Sequence, residues 1–237
     1  MEPVLTTPRL KLTLITHAER GSEELTWLHE LRSDKQSTLW SIRPPSTTLE
    51  DTEKVIGAFL PSLPAASPTP TTDPPAPACQ PAKQDYKIAY GVHEKLPDNT
   101  TRFIGLITVI SLLPYHLSLP PDLVIPKAQE SNTLVTELAY SFLPYSWGRG
   151  YATESLCAVL DAVRSPADSL FWAPWEKVWM RVIVNWRNPA SLNVMRKLEK
   201  KGVVEKGVFE WKGEKIFIGG EWRTEDDLFI FGAWLRE

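Results

Sequence analysis

Cysteine is scarce in this 237-residue chain, which contains only Cys79 and Cys157. Two cysteines so far apart form neither a disulfide framework nor the paired spacing of a metal site, so the sequence predicts a reduced, cytoplasmic compartment and no bound metal. Apolar runs are short, and none approaches the ~18 residues that a membrane-spanning helix needs. The first residues also lack the basic and apolar pattern of a signal peptide, so no membrane partner is expected.

Excess positive charge is missing as well. Lysine and arginine total 26 against 29 aspartates and glutamates, which gives a formal net charge of −3 at pH 7. Proteins that bind nucleic acids usually carry a basic excess, because contacts to phosphates supply most of their affinity. The sequence therefore predicts no nucleic-acid partner.

Proline, in contrast, is in clear excess, with 21 residues where an average chain of this length has about 12. Eight of them lie within residues 61–82, whose only charged residue is Asp73. Because each proline removes a main-chain donor, this stretch predicts a flexible insert, and residues 111–133 predict a second, irregular one. The strands before the first insert are too few to form a sheet alone, so one domain over residues 1–237 is expected.

Hydrophobic periodicity predicts a mixed α/β order, β-α-α-β-β-β-α-β-α-β-β. The predicted strands span residues 8–15, 86–92, 103–110, 136–143, 178–184, 207–211 and 227–234. The predicted helices span residues 18–33, 49–60, 151–164 and 189–201.

The strongest local signal joins the strand at 136–143 to the helix at 151–164, and it reads Trp147-Gly148-Arg149-Gly150-Tyr151-Ala152-Thr153. Glycines let the backbone approach a ligand, and the first amides of a helix favour an anion such as a pyrophosphate. The segment lacks the Lys-Ser/Thr pair of a P-loop and the third glycine of a dinucleotide-binding fingerprint. A tight turn without a ligand is an equally good interpretation of these residues alone.

A second polar helix start follows the strand at 178–184. Asn188 is suited to an N-cap and Pro189 to the first helical position. The basic residues of the helix that follows could face solvent or pair with a phosphate, and the sequence leaves both open.

Together, these segments resemble the GNAT superfamily of acyl-CoA-dependent N-acetyltransferases, and within it the branch that includes the ribosomal-protein N-terminal acetyltransferases. They follow the family's order along most of the chain outside the two inserts. The segments are Thr7-Pro8-Arg9-Leu10-Lys11-Leu12, Phe103-Ile104-Gly105-Leu106-Ile107, Glu137-Leu138-Ala139-Tyr140-Ser141-Phe142-Leu143-Pro144, Trp147 to Leu156, Asn188-Pro189-Ala190-Ser191 and Val194-Met195-Arg196-Lys197-Leu198.

The resemblance implies a central mixed sheet, flanked by helices, in which the strands at 136–143 and 178–184 splay apart and acetyl-CoA lies in the gap. Phe142 and Leu143 would pair with the pantetheine through main-chain groups, and Asn188 and Ser191 would contact the same arm. The pyrophosphate would be held by the amides of Gly148, Arg149, Gly150, Tyr151, Ala152 and Thr153.

The implied reaction is transfer of an acetyl group from acetyl-CoA to a primary amine, on a small molecule or a protein N-terminus, by direct attack. Glu137 is the candidate base by position, although a charge at a strand edge is an equal interpretation. Many members place a tyrosine acid seven residues after the asparagine, where this chain has Met195. That departure favours an alternative, a catalytically weak or inactive CoA-binding or interaction module. Whether the protein is a monomer or a homodimer is left open.

Overall fold

Eight β-strands and four α-helices are found in the computed structural model, which describes residues 1–61, 85–112, 116–125, 132–165 and 170–237. The strands are β1 (Val4–Thr6), β2 (Leu10–Leu14), β3 (Lys87–Lys95), β4 (Thr101–Ser111), β5 (Thr133–Phe142), β6 (Lys177–Asn185), β7 (Val204–Ile218) and β8 (Glu221–Arg236). The helices are α1 (Glu23–Ser33), α2 (Leu49–Ile56), α3 (Tyr151–Val163) and α4 (Pro189–Lys197). The mixed α/β class predicted from the sequence is confirmed.

All eight strands form one sheet, in the order β1-β2-β3-β4-β5-β6-β8-β7. Neighbouring strands are antiparallel except for β5 and β6, which run parallel. This parallel pair holds for five residue pairs and ends at Glu137 opposite Arg181. Beyond that point β5 pairs only with β4, as far as Phe142, while β6 pairs only with β8, as far as Asn185. The two strands therefore separate toward their carboxyl ends, as the splayed pair of the resemblance implies.

The helices cover both faces of this sheet. Leu160 of α3 and Leu28 of α1 belong to two separate buried clusters. Successive side chains of a strand point to opposite faces, and Ala89 and Tyr90 of β3 point into different clusters. Helices α3 and α4 therefore lie on one face, and α1 and α2 on the other. No helix among the described residues is long and apolar enough to cross a membrane.

Local capping explains where α1 and α2 begin. The Ser22 hydroxyl accepts a hydrogen bond from the Leu25 amide, which satisfies one of the free donors at the start of α1. Thr48 and Asp51 form a reciprocal capping box at the start of α2. Helix α1 starts later than its periodic pattern predicts, because residues 18–22 form a loop and a turn. Helix α2 ends earlier than predicted, because residues 57–60 form turns.

The first predicted insert falls almost wholly outside the described residues, and the second does so in part. The first, at 61–82, is described only at Pro61. Within the second, at 111–133, Pro121–Leu123 forms a short 3-10 helix that packs on β7, since a Cβ on Gly207 would lie 2.8 Å from Leu123 Cδ2.

Strand lengths are where the sequence prediction is weakest. The three-residue strand β1 is missed, because it is too short to show a period. Strands β7 and β8 are predicted at 207–211 and 227–234 but span 15 and 16 residues. The extra residues form a hairpin extending beyond the buried core, with mostly exposed side chains. Without a buried face, such strands show no hydrophobic alternation that a sequence pattern could reveal.

Replacement of Gly105 by alanine should destabilise the fold where β4 meets the end of β5. A Cβ there would lie 2.5 Å from the Ser141 carbonyl oxygen and 2.6 Å from Phe142 Cδ1. Forcing an atom into such a site costs about 1–3 kcal/mol, measurable as a lower free energy of unfolding in urea. Gly57→Ala is the matched control, since a Cβ there meets nothing within 4 Å. Equal stability of the two variants would contradict the prediction.

Candidate active site

A loop with free amides links β5 to α3. After the 3-10 turn Pro144–Ser146, Gly148 and Gly150 adopt left-handed conformations, with φ of 71° and 79°, and α3 begins at Tyr151. Among the described residues, none accepts a hydrogen bond from the amides of residues 148–153. The positive end of the helix dipole adds to these donors. The structure thus brings Gly148, Arg149, Gly150, Tyr151, Ala152 and Thr153 together in one turn whose amides are free to donate.

Arg9 fastens this loop to the start of the sheet. Its Nε donates to Glu154 Oε2 at 2.7 Å and its Nη1 donates to the Arg149 carbonyl at 2.9 Å. The Thr7 hydroxyl donates to the other oxygen of Glu154 at 2.5 Å. Burial raises the pKa of Glu154, but the hydrogen bonds from Thr7 and Arg9 outweigh it and hold the pKa below the ordinary range. Arg9 belongs to one of the segments that carry the family resemblance, but nothing in its own neighbourhood marks it as a partner of Glu154.

The Arg149 side chain is engaged by a buried carboxylate rather than left free. Its Nη2 lies 2.8 Å from Glu94 Oε1, and Arg102 Nη2 lies 2.7 Å from Glu94 Oε2. The Tyr151 hydroxyl donates to Glu94 at 2.6 Å. That hydrogen bond, together with the hydrogen bond from Arg102 and the positive charge of Arg149, lowers the pKa of Glu94 despite its burial. The role of Glu94 could not be predicted from the sequence, because a single glutamate within a strand carries no local pattern that reveals its partners.

The gap between β5 and β6 exposes main-chain groups of β5. Leu143 donates its amide to the Ile104 carbonyl at 2.8 Å, on the β4 side. In an antiparallel ladder, alternate residues turn their N–H and C=O to opposite sides. The main-chain groups of Tyr140 and Phe142 therefore point toward β6, into the gap. Of the two residues implied to pair with pantetheine, Phe142 offers its amide there, whereas the amide of Leu143 is committed to β4.

The Phe142 carbonyl already has two donors. Trp147 Nε1 donates to it at 2.7 Å, and the Ser37 hydroxyl donates at 3.2 Å. These two hydrogen bonds fix the end of β5 against the loop that leads into α3 and against the loop that follows α1. Phe142 thus contributes to the gap as a donor rather than as an acceptor.

The start of α4 forms the other side of the gap. Asn188 is the N-cap, and its Oδ1 accepts from the Ser191 amide at 3.1 Å, while Pro189 opens the helix as predicted. The Ser191 hydroxyl lies close to the phenol of Tyr140, on the other side of the gap. Burial raises the pKa of Tyr140 to about 12, and Ser191 partly opposes that rise. Met195 is fully buried, at 0% exposure, so this position of α4 presents an apolar side chain to the core.

Glu137 stands at the vertex of the splayed strands. Its Oε2 accepts a hydrogen bond from Arg181 Nε at 2.9 Å and lies 2.8 Å from Arg181 Nη2. Arg181 is buried at 2% exposure and also donates to the Leu117 carbonyl at 2.8 Å. No described residue donates to the other carboxylate oxygen, Oε1, and the side chain is 24% exposed. Glu137 therefore serves the ion pair with one oxygen and leaves the other open.

The β7–β8 hairpin reaches across to the loop after α1. At its tip, Gly219 donates its amide to the Leu39 carbonyl at 2.8 Å, and Trp40 lies so close that a Cβ on Gly219 would be 2.8 Å from its ring. The same loop touches β5, where Ser141 Oγ donates to the Ser37 carbonyl at 2.7 Å. The loop thus connects the end of β5 to the hairpin on the α1 face of the sheet.

A cavity of about 330 Å³ lies between this hairpin and the end of β6. Asp226 fixes that end, accepting from Asn185 Nδ2 at 2.8 Å and Trp186 Nε1 at 2.7 Å. Carboxylates outnumber cations in the lining, which comprises Trp186, Arg187, Glu210, Trp211, Lys212, Arg223, Glu225, Asp226 and Asp227. Among the described residues, no group of three or more His, Cys, Asp or Glu side chains is placed to hold a metal ion.

Comparison with known proteins adds a family match. A family model described as an acetyltransferase (GNAT) domain matches residues 11–200. No curated protein matches the chain.

Two solved structures have a similar fold. An acetyltransferase of the GNAT family from Bacillus anthracis is 16% identical, with a TM-score of 0.53, over 99% of both chains. The spermidine N-acetyltransferase of Vibrio cholerae, in complex with CoA and spermine, is 17% identical, with a TM-score of 0.50, over 94% of this chain and 95% of its own. At such identities the likeness concerns the fold.

The Glu94 cluster should make stability depend on pH. Because the pKa of Glu94 is lowered in the folded state, its contribution is present above the ordinary glutamate pKa of about 4.3 and is lost as pH falls through the lowered value. Glu94→Gln should therefore lower the free energy of unfolding by about 2 kcal/mol at neutral pH, and this deficit should shrink in acid. Urea unfolding over a pH series measures both.

Glu50→Gln is the control for that experiment, since Glu50 pairs with Arg20 on the exposed surface. Such a pair contributes about 0–1 kcal/mol. A deficit for Glu94→Gln that is the same at neutral and acid pH would contradict the assignment.

Proposed function

Because the chain belongs to the GNAT acetyltransferase family, we propose that it transfers an acetyl group from acetyl-CoA to a primary amine, in the cytoplasm. The observation that carries the proposal is the anion loop of residues 148–153, opening beside a splayed strand pair. One feature binds a diphosphate and the other receives an extended arm. Their juxtaposition fits one ligand with both parts.

The residues around the gap fit such a ligand. The free amides of Gly148 to Thr153 would hold the diphosphate, and the Phe142 amide would pair with the pantetheine arm. Asn188 and Ser191 border the same space from α4. A Cβ on Gly148 would meet nothing within 4 Å, so the space before this loop is open. Acetyl-CoA, when bound, supplies an acetyl group activated as a thioester.

Glu137 is proposed as the base. An alkyl ammonium has a pKa near ~10.4 and must lose a proton before it attacks. Oε1 of Glu137 accepts from no described residue, while Arg181 holds Oε2 in place. A fixed carboxylate with one open oxygen can take that proton, directly or through a water. The amide of Tyr140, which also points into the gap, would stabilise negative charge on the carbonyl oxygen.

The proposed acceptor is a small amine. One of the structures similar in fold is a spermidine N-acetyltransferase, and the cavity beside β6 is lined by two tryptophans, four carboxylates and three cationic side chains. Aromatic faces and carboxylates both attract a cationic amine. Polyamines are therefore the first acceptors to assay, and peptides with free N-termini are the second, as the resemblance to the ribosomal-protein branch implies.

A second candidate function is a CoA-binding module with little or no catalysis. Met195 favours it, because a buried apolar side chain occupies the position where many members have a tyrosine acid. Release of free CoA in the presence of an amine panel separates the two functions. Turnover with any amine supports the enzyme, whereas CoA binding without turnover across the panel supports the module.

Binding of acetyl-CoA should stabilise the protein and depend on Gly150. At about 100 times its Kd, a ligand adds about 2.7 kcal/mol to the free energy of unfolding, which a thermal melt registers as a higher Tm. Gly150→Trp should abolish that shift, because an indole at the start of α3 would fill the diphosphate space.

Gly21→Trp is the matched control for the Gly150 variant. Gly21 also has a positive φ, of 90°, and a Cβ there meets nothing within 4 Å. Both variants thus place an indole at a glycine of positive φ, but only one of them lies in the loop of residues 148–153. An unchanged CoA shift in Gly150→Trp would sink the placement of the diphosphate, and a shift with ATP but none with acetyl-CoA would sink the proposed function.

Glu137→Gln should lower kcat by about 100-fold with little change in the Kd for CoA. It should also cost about 3 kcal/mol of stability, because Arg181 would remain buried without its counter-ion. The double variant Glu137→Gln/Arg181→Met separates the two effects, since it removes both charges. A double variant that regains stability but not kcat supports the base, whereas recovery of kcat would leave Glu137 only its ion pair.

A further inference from the structure

The phenol of Tyr140 is the one described tyrosine hydroxyl that completes no hydrogen bond. Its Oη is buried, and although the Ser191 hydroxyl lies near it, no described residue meets it with hydrogen-bond geometry. Each of the other tyrosines that the structure describes donates a hydrogen bond from its Oη. The acceptor is Ala173 for Tyr86, Glu2 for Tyr90, Phe103 for Tyr145 and Glu94 for Tyr151. Buried hydroxyls are nearly always hydrogen-bonded in native proteins, because an unmade bond is costly. A donor kept unpaired points to a ligand atom.

The location of this hydroxyl indicates which atom. Tyr140 lies on β5 three residues beyond Glu137, where the parallel pairing with β6 has ended. Its ring packs with Phe142, at 6.3 Å between centroids, on the face covered by α3 and α4. Its hydroxyl is near that of Ser191, in the first turn of α4. The donor therefore sits between the separated strand and the helix that border the gap.

We propose that Tyr140 Oη donates a hydrogen bond to the thioester sulfur of acetyl-CoA and stabilises the thiolate as the C–S bond breaks. This inference rests on the proposed function. The amine nitrogen forms a bond to the carbonyl carbon and loses one proton, to Glu137 or water. The C–S electron pair goes to sulfur, so the products are the amide, the CoA thiolate and that proton.

The phenol keeps its own proton in this step. Burial raises the pKa of Tyr140 to about 12, above the ~8.5 of a free thiol. Transfer of the phenolic proton to the thiolate is therefore unfavourable, while a hydrogen bond to the charged sulfur is favourable. Tyr140 thus offers charge stabilisation from β5, where Met195 offers none from α4. The thiolate takes up a proton from solvent when it leaves.

Tyr140→Phe tests the proposal, because it removes only the hydroxyl and keeps the ring against Phe142. A hydrogen bond to a charged group has an energy that corresponds to about a 10- to 100-fold change in an equilibrium or rate. The variant should lower kcat by that factor. It should also raise the pKa of the thiol of bound CoA by about one to two units, measured by ultraviolet titration of thiolate absorbance in the enzyme–CoA complex. The Kd for CoA at neutral pH should change little.

Tyr90→Phe is the matched control, since Tyr90 Oη donates to the Glu2 carbonyl at 2.6 Å, on β3 and away from the gap. It should leave the pKa of the bound thiol at the wild-type value. The free Tyr140→Phe protein should melt no lower than wild type, because it loses only an unpaired buried hydroxyl.

Three outcomes would overturn the inference. These are an unchanged kcat in Tyr140→Phe, a reduced kcat with an unchanged pKa of the bound thiol, and a clear drop in the Tm of the free variant, which would reveal a structural partner. Failure of wild type to bind CoA is a different result, since it removes the proposed function itself.

Discussion

The end of the parallel pairing at Glu137 and Arg181 is the constraint on which the rest of the molecule depends. A continuous ladder between β5 and β6 would consume the main-chain groups of Tyr140 and Phe142 and close the gap. Arg181 is buried and joined to Glu137 and to the Leu117 carbonyl. The point where the strands separate is therefore fixed by an ion pair, and separating its charges would be costly in free energy. Beyond it, β5 is held by β4 and β6 by β8. The opening is thus a consequence of pairing on both outer sides rather than of weak pairing within it.

Around the loop of residues 148–153, charged side chains hold the main chain in place and leave a small excess of positive charge. Three guanidinium groups and two carboxylates meet there, those of Arg9, Arg102, Arg149, Glu94 and Glu154. The network carries one net positive charge, to which the amino end of α3 adds its dipole. The carboxylates orient the arginines and keep the Arg149 carbonyl occupied by Arg9. The amides of residues 148–153 are thereby left without an acceptor among the described residues.

What the sequence could predict follows from how local each signal is. Some residues act on neighbours only a few positions away, through left-handed turns and a helix cap, so their local roles can be predicted from the sequence. These are Gly148, Gly150, Asn188 and Pro189. Arg9 acts on Glu154 and Arg149, at least 140 positions away, and Tyr140 matters because of what surrounds its hydroxyl. Neither leaves a pattern in its own neighbourhood. The splayed strands were accessible only through the resemblance, because periodicity gives strands but not their partners.

The ion pair at the vertex has an evolutionary consequence. Loss of Glu137 alone leaves a buried cation, and loss of Arg181 alone leaves a partly buried carboxylate without its counter-ion, so either single substitution passes through a destabilised intermediate. Both residues should therefore change together or persist together among relatives. Retention of a glutamate at this position would thus follow from the buried arginine alone, before any role in proton transfer is considered.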